Sequence, residues 1–187
     1  VGTSVGVAVV VQVVNSENKA LVANGTIAAE SVTVTATSGS EETASGSIAK
    51  AQAGFSAGKF GLGGAIAVNV YSAKTGAYVE NSKLTVSGAI TICAEDHSDT
   101  ETEGTASCEK TDDALNKENT GVGAGIALGI TGNTVEAMLG ENAAIVDGFG
   151  SLTVTAGSAG TTNVTATAGA AGGTSVAPVV ALDVTDI

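Results

Sequence analysis

The sequence predicts an all-β repeat protein, with a β-solenoid as the leading architecture. Three observations carry that prediction. One line of sequence is written again and again at a nearly constant interval. Its apolar residues alternate with a period of two. Helical periodicity is nearly absent. The copies are "VAVVVQVVNSENKALV" (7–22), "GAIAVNVYSAKTGAYV" (64–79) and "AGIALGITGNTVEAML" (124–139), and a fourth begins near the end of the chain. Aligned, they set Gln12, Asn69, Gly129 and Asp183 in one column, at spacings of 57, 60 and 54 residues. The chain therefore divides into units at 1–57, 58–120, 121–173 and a partial 174–187, with an acidic insertion at about 95–118 in the second.

Each unit opens with a long alternating strand. Val9, Val11 and Val13 share one face of it, as do Ile66, Val68 and Val70, and Ile126, Leu128 and Ile130. Large aliphatic residues in that pattern predict a buried core face. The opposite face carries Gly6, Ala8 and Val10, then Gly61, Ala65 and Ala67, then Gly125 and Ala127. A solvated face would be polar, so small residues there predict a second layer packed close to the backbone. A turn and short strand follow, in "NSENKALVANG", "SAKTGAYVENS" and "TGNTVEAMLGEN", where Asn, Ser, Gly and Lys mark the turn. The third part is "SVTVTATS" (31–38), "AITICAED" (89–96) and "SLTVTAGS" (151–158), in which Val or Ile alternates with Thr. Only "TDDALNKEN" (111–119) has the look of a helical turn. Solenoid coils of about 20 residues are common, so two or three coils per unit are expected. The alternative is a β-sandwich built of hairpins.

Composition narrows the partners. Of 187 residues 26 are Gly, one is Pro, 3% are aromatic and 43% are hydrophobic, so small and β-branched side chains do the building. The net charge of −12, from 19 acidic and 7 basic residues, repels nucleic acid and anionic membrane, which need Lys and Arg. No apolar run approaches the roughly 20 residues of a membrane span. The start "VGTSVGVAVV" lacks the basic residues of a signal peptide.

The second unit, "GLGGAIAVNVYSAKTGAYVENSKLTVSGAITICAED" (61–96), resembles the repeats of very large bacterial surface adhesins of the autotransporter and hemagglutinin-like kind. Those repeats show a Gly-rich start, an "AVAVNV"-like strand, an "AYIG"-like strand and a "VTVTA"-like strand. The resemblance implies a secreted, elongated β-structure at the cell surface and supplies no catalytic residues. A non-enzymatic stalk segment is the leading expectation. Its partners would be neighbouring repeats of the same chain. A self-assembling filament subunit, with identical subunits as partners, is the first alternative. A module that binds a host or cell-surface protein or glycan through the acidic insertion is the second.

Candidate sites are few. His97, the only histidine, lies in "AEDHSDTETEGTASCEK" with Glu95, Asp96 and Asp99. Carboxylates favour Ca²⁺, but the stretch has no EF-hand spacing and no glycine-aspartate nonapeptide. It reads as a solvated loop tip, and no cofactor is expected. Residues 95–118 hold nine of the 19 acidic residues. There is no GxSxG nucleophile motif. "GLGGAI" lacks the lysine and following helix of a phosphate loop, so its glycines are expected to relieve crowding between sheets. The sequons Asn24-Gly25-Thr26 and Asn163-Val164-Thr165 matter only in a glycosylating host. Cys93 and Cys108, 15 residues apart, are expected to form a disulfide at the base of the insertion in an oxidising compartment.

Overall fold

A computed structural model describes residues 2–56, 59–109, 120–146, 148–171 and 173–186. Twelve strands form three sheets, every described pairing is parallel, and the described residues contain no helix. The fold is all-β with parallel stacking, as a β-solenoid requires, and it contains no hairpin pairing among the described strands. The segment 111–119, where a helical turn was expected, lies outside the described residues.

The chain winds in flattened coils. Coil 1 runs out along β1 (Thr3–Ala23), turns through β2 (Thr26–Ala29), and returns along β3 (Val32–Ser38) and β4 (Ser45–Ser56). Coil 2 uses β5 (Phe60–Glu80), β6 (Lys83–Val86) and β7 (Ala89–Glu109). Coil 3 uses β8 (Thr120–Leu139), β9 (Ala144–Val146) and β10 (Ser151–Ala168). β11 (Thr174–Val176) and β12 (Val179–Asp186) begin a fourth coil against β8. The outgoing strands make a front sheet, the short strands an end sheet, and the returning strands a return sheet. Pro178 separates β11 from β12 because it has no N–H to donate, yet its carbonyl accepts a hydrogen bond from Gly125 N at 3.1 Å.

The sheet register sets Gln12 opposite Asn69, Asn69 opposite Gly129, and Asp183 opposite Gly129, so the aligned column of the sequence is one rung of the front sheet. One unit therefore makes one coil, not two or three. The cause is strand length. β1, β5 and β7 are each 21 residues, about 70 Å at roughly 3.3 Å per residue, and two long strands with one short strand use up the whole unit.

The expected core face is inverted in part. Val9, Val11 and Val13 point outward and are 59%, 65% and 63% exposed. Ile126 and Ile130 are exposed, while Ile66, Val68, Val70 and Leu128 are half-buried on the same outer face. The Gly and Ala face points inward, with Ala65, Ala67 and Ala127 fully buried. Space explains the choice. A Cβ built on Gly125 would lie 2.4 Å from the Thr167 carbonyl oxygen of the return sheet, and one on Gly104 would lie 2.3 Å from the Ile126 carbonyl oxygen. At these rungs the sheets leave no room for Val or Ile between them, although Val10 of the first coil does pack inward against Ala65 and Ala67. The close second layer expected from the small residues is present, and it is what forces the large residues out.

Where the end sheet closes the coil, three sheets meet and the interior widens. Val34, Val79, Leu84, Val86, Ile90 and Ile92 pack there with Ala36, Ala77 and Ala94. The corner into the end sheet repeats in every coil as Asn24, Asn81 and Asn142, with φ of 57°, 46° and 55°. Asn tolerates this left-handed backbone better than most residues. The corners also bond to each other: Asn81 N donates to Glu141 O at 2.9 Å and Asn142 Nδ2 to Asn81 Oδ1 at 3.0 Å.

Among the described residues, only coil 1 interrupts its return strand. Ser38 pairs with Asp96 and Ser45 with Ser98, so residues 39–44 bulge out where coil 2 has only His97. A hydrogen bond of 2.9 Å between the Ser38 and Ser45 hydroxyls closes the base of the bulge.

Candidate functional site

Among the described residues the charged and nucleophilic side chains are divided between the outer faces and the space between the sheets. Strand alternation decides each placement. On β7 the residues Glu95, His97, Asp99, Glu101 and Glu103 face outward, while Asp96, Ser98, Thr100 and Thr102 are buried between the sheets. The four metal candidates are thus divided: Asp96 is inside, and Glu95, His97 and Asp99 are outside. Among the described residues no group of three or more His, Cys, Asp or Glu is placed to hold a metal ion. Residues 95–109 are also strand rather than a loop insertion, and 110–119 lie outside the described residues.

The outer return face is polar. Thr33, Thr91 and Thr153 form one rung, and Thr35, Cys93 and Thr155 the next. Lys50 on β4 reaches Glu101 at 2.8 Å and Glu103 at 3.5 Å, and its pKa is raised, first by the hydrogen bond to Glu101. Asp99 Oδ1 accepts from the Thr161 amide at 2.9 Å and the Thr161 hydroxyl at 2.7 Å, tying β7 to β10. A groove of about 800 Å³ lies here, lined by Asp99, Glu101, Asn163, Thr161 and Gln12 of the front sheet together with Ile48, and more of its surface is apolar than polar.

Cys93 is a free thiol whose pKa is pushed up by burial and then by the hydrogen bond to Glu95 at 3.5 Å. That keeps it protonated and a poor nucleophile. The expected bridge to Cys108 conflicts with β7, which carries both residues on one unbroken strand. Fifteen steps of roughly 3.3 Å separate their backbones by about 50 Å, far beyond disulfide reach.

Inside, polar groups join the sheets. Asn69 Nδ2 donates to the carbonyls of Ser47 at 3.1 Å and Glu101 at 3.3 Å, and its Oδ1 accepts from the Ser47 hydroxyl at 2.7 Å. One buried side chain thereby clamps the front sheet to two coils of the return sheet. Asn133 Nδ2 donates to Asp96 Oδ2 at 3.0 Å and to the Ser98 hydroxyl at 2.6 Å. The Thr100 and Thr131 hydroxyls meet at 3.2 Å.

The outer front face is of another kind. Over its first half the outward rungs read Val5–Leu62–Val122–Val176, Val9–Ile66–Ile126–Val180, Val11–Val68–Leu128–Leu182 and Val13–Val70–Ile130–Val184. None of these rungs carries a charge. The second half turns polar. Tyr78 donates to Glu136 at 2.6 Å, Lys74 lies 3.7 Å from Glu136, and Lys19 sits 5.0 Å over the Tyr78 ring. The hydrogen bond to Glu136 is the main cause that pushes the Tyr78 pKa up to about 12, and it lowers that of Glu136.

Sequence reasoning missed this apolar outer face. Its signal was the Gly and Ala column, which could not coexist with a second large-residue layer inside. No family model, curated protein or solved structure matches the chain. No helix among the described residues is long and apolar enough to cross a membrane.

Proposed function

We propose that the chain is a non-enzymatic structural segment of a bacterial surface adhesin, a stalk that holds a binding module away from the cell and takes part in attachment. The observation that carries this reading is the unbroken rung-to-rung register of the repeats. Gln12, Asn69, Gly129 and Asp183 stack on one another, so each coil is the template for the next. Stability of such an array comes from neighbour contacts rather than from one central core, which suits a part made longer by adding copies. The resemblance of residues 61–96 to adhesin repeats points the same way, as does the acidic surface, and both favour an extracellular, cell-surface location. The partners on this reading are neighbouring repeats of the same chain.

The test is surface labelling of the producing bacterium. An antibody to this segment should stain intact cells, and deleting residues 60–119, which matches the 60-residue offset of Phe60 and Thr120, should preserve folding while shortening the array by one coil, about 4.8 Å. Staining only after permeabilisation would overturn the surface reading.

A second reading has support from the groove at the return sheet, where Asp99, Glu101, Asn163 and Thr161 can hydrogen-bond a polyol beside an apolar floor. On that reading the segment itself binds a glycan. Binding of the isolated chain to a glycan array, lost in Asp99→Ala, would favour it over the stalk.

A further inference from the structure

We propose that the apolar half of the front face is a docking surface for a second copy of this chain, packed sheet on sheet. Val5, Val7, Val9, Val11 and Val13 are each 59–67% exposed, and Val180, Leu182 and Val184 are 51–54% exposed on the same face. The face is four strands wide and spans eight residue steps from Val5 to Val13. At about 4.8 Å per strand and about 3.3 Å per residue it measures roughly 19 Å by 26 Å, or about 500 Å² in projection. Two copies would bury about 1,000 Å² in projection alone, which reaches the lower bound for a specific interface.

The dimensions also choose the occupant. A helix is roughly 10–12 Å across and would cover only about half of the width, whereas a second sheet of the same breadth covers all of it. The relief is suited to interdigitation. On β5 and β8, Gly64 and Ala124 leave a shallow channel between the taller rungs on either side, closed at one end by Val7. A ridge of one copy can seat in the channel of the other, as in sheet-on-sheet packing. Although the chain carries a net charge of −12, the five rungs from Val5 to Val13 are uncharged, so like charges do not meet at the centre of the contact. This pairing is lateral and stands apart from the stalk reading, which concerns stacking along the solenoid axis.

Sedimentation velocity on the purified chain, from micromolar to sub-millimolar concentration, tests it. The unaltered chain should show a concentration-dependent dimer. The double variant Val11→Lys, Leu128→Lys should sediment as a monomer with an unchanged circular dichroism spectrum. Thr155→Lys, which adds the same charge on the return face, should still dimerise. The milder Val68→Ala, Leu128→Ala pair should weaken the dimer about tenfold or more, and it serves if the lysine variant does not fold. A chain that stays monomeric at every concentration would overturn the proposal. So would association that survives the lysine pair, or open-ended growth unaffected by it, since these place the contact at the sheet edges.

Discussion

The two ends of one coil solve the packing problem in opposite ways. At the three-sheet end, Leu84, Ile90 and Ile92 fill a wide interior and are fully buried. Along the two-sheet blade, Ala65, Ala67, Ala106 and glycines line an interior so thin that backbones nearly touch. The wide end is held by volume, and the blade is held by closeness. The same chain should thus be broken by removing atoms at one end and by adding them at the other.

The largest effect should come from the wide end. Leu84→Ala should cost about 4 kcal/mol through lost burial and a cavity, read as a shift in denaturant midpoint. In the blade, Gly125→Val should cost about 3 kcal/mol by overpacking, because its Cβ meets the Thr167 carbonyl and not a flexible side chain. If Gly125→Val is neutral, the sheets are not in close contact and the contrast fails. Asn69→Leu comes next, at about 2 kcal/mol, since it leaves the buried Ser47 hydroxyl and two carbonyls without that partner.

Smaller still is the corner. Asn81→Ala should cost about 1 kcal/mol for its left-handed backbone, while Asn81→Gly should cost less, and equal losses would point to the side-chain bond to Asn142 instead. The weakest contrast is a titration on the polar half of the front face. Tyr78 has a raised pKa, so the stability of its bond to Glu136 is complete below pH 10.0 and is lost as pH rises through about 12. Phenolate absorbance should show that late step in the unaltered chain, and Glu136→Gln should move it down. An unmoved midpoint would assign the shift to burial.

The repeat and the strand type were legible because parallel stacking puts equivalent residues on one rung, as Gln12, Asn69, Gly129 and Asp183 show. The small-residue face was legible as a close layer. The direction of the large residues was not, since β-branched side chains are ordinarily inside, and only the spacing of two sheets decides otherwise. The segment from Glu95 to Glu103 looked like an acidic loop because its charges are dense. Its alternation, with Ser98, Thr100 and Thr102 between the charged residues, is a strand pattern whose inner face happens to be polar. Local sequence also hid the distance from Cys93 to Cys108, which a loop would bring together and a strand keeps apart. Coil count was misjudged because nothing in a rung repeat states how long each strand runs.

The bulge at residues 39–44 carries a lesson about tolerance to length. Between Ser38 and Ser45 the chain leaves the return sheet and re-enters it, and the inner and outer faces resume their places beside Ser98 as though nothing had been added. An odd number of extra residues inside a strand would have flipped every later side chain. Looped out, they change nothing downstream, because parity is counted only along residues that stay in the sheet. His97 and Ala159 occupy the neighbouring rung in coils 2 and 3. A short graft at either position should accordingly loop out as residues 39–44 do, about 4.8 Å from its neighbour, with the winding beneath kept in register.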